Sequence, residues 1–171
     1  RFDEILPGNH QGKAHVEDMD KDGIDVSVVY PAYAAQAYVM PDRELGVACM
    51  RSYNDWMLGE FQGASPKRIV GLPLLPVDDG MDVCLAELER CVRAGAKAIL
   101  IPGLPVKPYH DRYYEPLYAR AAEAGVPLTF HRTFGGRAQE ADWDGIADLK
   151  VTAGGTVWRF FSAVRSFTYL V

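Results

Sequence analysis

Four short apolar runs, each separated from the next by a segment of helical periodicity, constrain this chain more than any other feature. They cover residues 24–30, 68–76, 96–101 and 126–130, and are rich in Val, Ile and Leu. Proline closes the first two, Pro102-Gly103 the third, and His131 the fourth. Strands that alternate with helices through short connections argue a parallel sheet with right-handed crossovers.

The helical segments carry their own punctuation. Residues 15–22 form a short helix closed by Gly23. Asp42 caps a long helix that runs to about Gly63, with Val47, Met50, Tyr53, Asn54, Met57 and Phe61 on one face. Asp78-Asp79-Gly80 has the chemistry of a helix start. Residues 82–94 are amphipathic, with Cys84, Leu88, Cys91 and Val92 on one side and Glu87, Glu89, Arg90 and Arg93 on the other. Tyr114, Leu117, Tyr118, Ala121 and Ala122 give the next helix its buried face, with Pro116 in the first turn. Residues 1–12 and 33–40 read as loops, 138–152 as acidic and weakly patterned, and 156–171 as an aromatic-rich helix.

Two architectures fit: a doubly wound open sheet, or part of a (β/α)8 TIM barrel. No G-x-G-x-x-G or P-loop lies at a strand-to-helix turn, which counts against the nucleotide-binding open sheet. Four βα units are about half of a barrel of roughly 250 residues. Arg1 in place of an initiator Met, and the apolar run that ends at Val171, read as cuts into a longer protein. Residues 1–171 are therefore expected to be one domain, incomplete.

A formal charge of −5 argues against nucleic acid and anionic membrane as partners. No apolar run is long enough for a membrane span. Cys49, Cys84 and Cys91 show no C-x-x-C spacing, so reduced thiols in a cytoplasmic protein are expected.

A barrel site lies at the C-terminal ends of its strands. Here those ends are Tyr30-Pro31-Ala32-Tyr33, Leu74-Leu75-Pro76, Ile101-Pro102-Gly103 and His131-Arg132, and only the last carries strong chemical groups. A neutral imidazole at position 131 can ligate a divalent metal or move a proton; it can equally satisfy backbone carbonyls. Arg132 and Arg137 can bind a carboxylate, or be solvated loop residues. His110 can line a pocket, and Tyr33 with Tyr38 can form an aromatic wall or simply pack in a loop. His10 and His15 lack H-x-H spacing and read as surface histidines, and Cys84 and Cys91 read as core. No G-x-S-x-G, H-E-x-x-H or paired-carboxylate motif occurs.

An ordered set of stretches adds to this. It comprises Met19–Val26, Asn54-Asp55, Pro66–Pro76, Glu87–Cys91, Gly95–Ile99 and Tyr114–His131. Together they resemble the amidohydrolase-related family of metal-dependent hydrolases, which includes aminocarboxymuconate-semialdehyde decarboxylase and related aromatic-acid decarboxylases. The resemblance implies a TIM barrel of which this chain holds about strands 2 to 5, and one catalytic divalent metal, usually zinc. It implies a hydrolase or decarboxylase of a small carboxylate or amide, acting through metal-activated water or an acid/base group. His131 is then the fifth-strand metal ligand. The H-x-H pair would precede Arg1, and the sixth-strand histidine and eighth-strand aspartate would follow Val171, so residues 1–171 alone should bind metal poorly. Arg132, Tyr33 and His110 remain candidates for substrate binding. The expected partners are a small-molecule substrate and further copies of the chain. A metal-independent barrel enzyme using His131 as base, and a non-catalytic binding protein, stay open as alternatives.

Overall fold

In the computed structural model, which describes residues 4–31, 33–103, 105–107 and 109–131 (the last by its backbone), the four runs become parallel strands taken in chain order. They are β1 (Ser27–Val29), β2 (Ile69–Gly71), β3 (Ile99–Pro102) and β4 (Leu128–His131). The helices between and before them are α1 (Gly12–Asp22), α2 (Arg43–Trp56), α3 (Met81–Arg93) and α4 (Glu115–Ala124). β1 pairs with β2, Ser27 opposite Ile69, and β3 pairs with β4, Ile99 opposite Leu128. A parallel bridge between Leu74 and Leu100 joins the two pairs. There Leu100 N–H donates to Pro73 O at 2.9 Å, and Leu75 N–H donates to Leu100 O at 3.3 Å.

This order decides between the two architectures. A doubly wound sheet reverses its strand order at a switch point, whereas a barrel adds each new strand beside the last. No reversal occurs among the described strands. The sheet is also concave. Three strand spacings of about 4.8 Å would set β1 and β4 roughly 14 Å apart if flat, yet the Tyr30 and Thr129 hydroxyls meet at 2.9 Å. The concave face is the one on which Val26, Val28 and Tyr30 alternate as exposed residues, at 54%, 53% and 43%.

The strands are shorter than their apolar runs, for identifiable reasons. Ile24 and Asp25 lie outside the ladder because Arg68 takes their carbonyls, at 2.8 and 3.1 Å, while its other Nη pairs with Asp20. Pro73 interrupts β2 because it has no N–H to give. The helix ends fall close to expectation. Gly23 and Gly125 close α1 and α4 in the left-handed region, at φ 70° and 66°, where a side chain would be strained. Asp42 caps α2 by accepting from Leu45 N–H at 3.0 Å. Beyond Trp56 the helix widens into a π turn, Met57–Phe61, which sets Met57 against Gly71; a Cβ on Gly71 would collide with it. The segment 33–40, expected as a loop, is largely a 3-10 helix, Ala34–Val39.

The outward face of the sheet packs on the helices. Ile99, Ile101, Leu75 and Val77 meet Cys84, Leu88 and Cys91 of α3 and Leu117 and Ala121 of α4. Ala122, expected on the buried face, is exposed. Cys84 and Cys91 are core thiols as expected, each pushed up to about 12 by burial, and all three cysteines are unbridged. A thiol reagent at pH 8 (about the thiol range) should therefore modify exposed Cys49 rapidly and the other two only on unfolding. Counting thiols before and after denaturant checks this.

Glu87 corrects the amphipathic assignment of α3. Expected in solvent, it is 3% exposed. Arg90 donates to both its oxygens, at 2.9 and 2.7 Å, Asn54 donates to Oε1 at 2.7 Å, and Arg51 lies 3.3 Å from Oε2. Burial alone would push this carboxyl up; the bonds from Arg90 and Asn54 outweigh burial and hold it below the usual carboxylate range. A carboxyl lowered in the folded state adds stability above its unfolded pKa, about 4.3, and loses it as pH falls through the folded value. Glu87→Gln is thus expected to flatten the acid limb of stability between about pH 5 and pH 3, read from denaturant midpoints against pH.

Candidate functional site

The C-terminal ends of the strands bring together Tyr30, the Leu74–Val77 turn, Pro102 and His131. His131 is the last residue of β4 and is paired in register with Pro102. Its backbone position is that of a strand-end residue on the rim of a parallel sheet, as the sequence led us to expect. Arg132 and Arg137 lie outside the described residues. Tyr33 is 89% exposed, and its carbonyl accepts from Gln36 N–H as the 3-10 segment begins. His110 is exposed in the turn after β3. The described residues therefore show Tyr33 and His110 on strand-end loops, without bringing the two together.

The rim beside His131 is built rigidly. Tyr38 O–H donates to Leu100 O at 3.0 Å and Tyr109 O–H to Pro102 O at 2.7 Å. Tyr118 O–H donates to Tyr109 O at 2.6 Å. Burial pushes the Tyr38 and Tyr109 phenols well above their ordinary value, so both stay protonated donors. Tyr38 is thus a buried anchor of the 3-10 segment rather than part of an exposed aromatic wall.

Asp78 and Asp79 do not cap α3, whose first turn is preceded by Gly80 at φ 107°. They tie loops together instead. Asp79 takes Arg43 in two bonds, at 2.8 and 2.5 Å, and Asp78 accepts from Val106 N–H at 2.9 Å. Arg43 also donates to the carbonyls of Ala37, Tyr38 and Met40. The hydrogen bond with Asp79 pushes the guanidinium pKa up. A planar fork is suited to this double duty, and it joins the loops after β1 and β2.

His15 lies at the other end of the sheet. Its Nδ1 is 3.1 Å from Gly8 O, its Nε2 is 3.1 Å from Ser27 Oγ, and its ring packs on Phe61. It is a half-buried structural residue, not a surface histidine, because α1 lays it across the start of β1. His10 is also half-buried. Both are remote from the strand C-termini.

Among the described residues, no three His, Cys, Asp or Glu side chains converge as a metal centre requires. These residues do not make a complete metal site by themselves. A groove of 390 Å³ between α2 and α3, lined by Arg43, Glu44, Val47, Arg51, Asp79 and Val83, opens on helices rather than at strand ends. What the sequence missed on the concave face is the hydroxyl pair Tyr30–Thr129. Its only signal was a lone polar residue inside an apolar strand.

Comparison with known proteins places this architecture. The pattern of the family described as Amidohydrolase matches residues 7–153. A 2-keto-4-carboxy-3-hexenedioate hydratase from Sphingobium sp. (strain NBRC 103272 / SYK-6) is 27% identical over 118 residues, 64% of this chain and 34% of that protein. The crystal structure of a 2,6-dihydroxybenzoate decarboxylase from Rhizobium superposes with a TM-score of 0.69 at 25% identity, covering 91% of this chain and 49% of that one. A dihydroxybenzoic acid decarboxylase from Polaromonas sp. JS666, with bound manganese and the inhibitor 2-nitroresorcinol, gives 0.68 at 25% identity, covering 91% and 48%. An amidohydrolase from Mycobacterium avium subsp. paratuberculosis K-10 gives 0.71 at 20% identity, covering 96% and 44%. The chain thus spans about a third of the curated relative and just under half of these solved ones. No described helix is long and apolar enough to cross a membrane. With its strands in chain order and the family's pattern running through all four strand–helix units, the chain belongs to the amidohydrolase family, whose fold is the TIM barrel.

Proposed function

We propose that this chain is the central portion, about strands 2 to 5, of a metal-dependent enzyme that acts on a small carboxylate, with decarboxylation favoured over hydrolysis. The observation that carries this reading is the place of His131: it ends the last of four consecutive parallel strands, on the rim where barrel enzymes do their chemistry. Support for a carboxylate substrate comes from the relatives, since the hydratase and both decarboxylases are named for carboxylic acids. In this reading His131 supplies one ligand to a divalent cation, zinc or manganese, and the other ligands come from barrel strands beyond residues 1–171. Such a cation acts as a Lewis acid and activates water or a bound substrate oxygen. Tyr33 and His110 stand on strand-end loops and Arg132 follows His131 in the sequence, and all three are candidates for holding substrate.

The test uses the longest natural protein that contains this chain. Its metal content is measured, and CO2 release from 2,6-dihydroxybenzoate and related hydroxybenzoates is followed. About one divalent ion per chain and CO2 release lost to chelator and restored by zinc or manganese are expected. Turnover that survives complete metal removal would instead favour His131 as a metal-free base, and would end this proposal.

A further inference from the structure

The concave face of the sheet is apolar along β1 to β3, where Val28, Val70, Leu74 and Leu100 occupy the matching phase of the pleat. Among the described residues a polar pair interrupts it. Tyr30, the residue before Pro31, reaches across from the first strand to the fourth and places its hydroxyl 2.9 Å from Thr129 Oγ1. Thr129 is half-buried and opposite Leu100 in register. It lies two residues before His131 on β4, about 6.6 Å along the strand and in the same phase of its alternation.

We propose that Thr129 binds an oxygen of the substrate carboxylate, and that Tyr30 is the positioning residue that makes it do so. This rests on the reading that position 131 holds the metal. Either hydroxyl can donate across this 2.9 Å contact, and we assign the shared proton to Tyr30 because a phenol is the stronger donor of the two. A threonine that accepts this bond keeps one proton of its own to give. Donation into its oxygen polarises that proton and fixes its direction, since hydrogen bonds in a chain polarise one another. An acceptor anchored at position 131 and spanning one small acid is within reach of that proton. The exposed Val28 and half-buried Val70 side chains on the same face would carry the apolar body of the same molecule.

The experiment uses the whole protein, with three readouts. Metal content is measured first, then kcat and KM, then the Kd for benzoate by calorimetry. Thr129→Val, which keeps shape and removes the hydroxyl, is expected to raise KM and the benzoate Kd about 10- to 100-fold with metal content unchanged. Thr129→Ser should restore both to within about threefold. Tyr30→Phe should raise both about 3- to 10-fold, and the double variant should be no worse than Thr129→Val alone, because Tyr30 acts through Thr129. An unchanged Kd in Thr129→Val, additive losses in the double variant, or no benzoate binding by the natural protein would overturn the proposal. Loss of metal is a separate result: a natural protein without bound metal ends the functional reading above, while the benzoate titration still judges Thr129.

Discussion

Asn54→Ala lowers stability by about 4 kcal/mol, a loss at the top of the range for single substitutions. The reason lies where β1 stops. Pro31 ends that strand, and Leu74 on the neighbouring strand is left with no backbone partner on that side. Asn54 of α2 takes the missing strand's place. Its Oδ1 accepts from Leu74 N–H at 2.7 Å, and its Nδ2 donates to Leu74 O at 2.9 Å and to Glu87 Oε1 at 2.7 Å. The residue is fully buried, so its partners have no access to bulk water. Truncation leaves a backbone N–H and C=O unpaired and removes a donor from a buried carboxylate, each worth about 1–3 kcal/mol. Asn54→Asp, nearly the same shape, should be at least as damaging, since it sets a second carboxylate against Glu87. The denaturant midpoint, at constant slope, is the measurement.

His131→Ala in the whole protein is expected to cut kcat/KM by about 10³-fold or more, with bound metal lost in parallel and the midpoint of unfolding, compared between the metal-free proteins, nearly unchanged. The stability arm separates a site residue from one that holds the strand in place. Ile99 and Ile101 pair with Leu128 and Phe130, and Phe130 packs on Tyr109. A large kinetic loss without a stability loss is the signature of a site residue. His131→Asn tests the same point with a side chain that keeps hydrogen bonds to carbonyls: if position 131 merely satisfied backbone, Asn would retain activity.

Much of this fold could be read from residue order. The four runs gave four parallel strands, and Gly23, Gly125 and Asp42 stand where the helix ends are. Strand lengths could not be read, because they depend on Arg68 and Asn54 reaching across from sequence-distant elements. Glu87 shows how residue type misleads. Positions 84, 87, 88 and 91 form one helical stripe, so its periodicity pointed inward while its charge pointed outward. Only a neighbour 33 residues away, Asn54, resolves the conflict. His15 was misread in the opposite direction, because its partners Gly8 and Ser27 share no local pattern with it. The strand that ends at His131 was legible. A pattern along one strand cannot reveal a hydroxyl pair such as Tyr30–Thr129, which exists only because the sheet curves.

The most direct test of the account is an anomalous-scattering experiment on crystals of the whole protein loaded with zinc or manganese, recorded on both sides of that metal's absorption edge. A single strong peak at the C-terminal end of the barrel, about 2.0–2.1 Å from an imidazole nitrogen of His131, is the predicted result. A peak whose coordination sphere excludes His131, or an active crystal form with no peak, would contradict it.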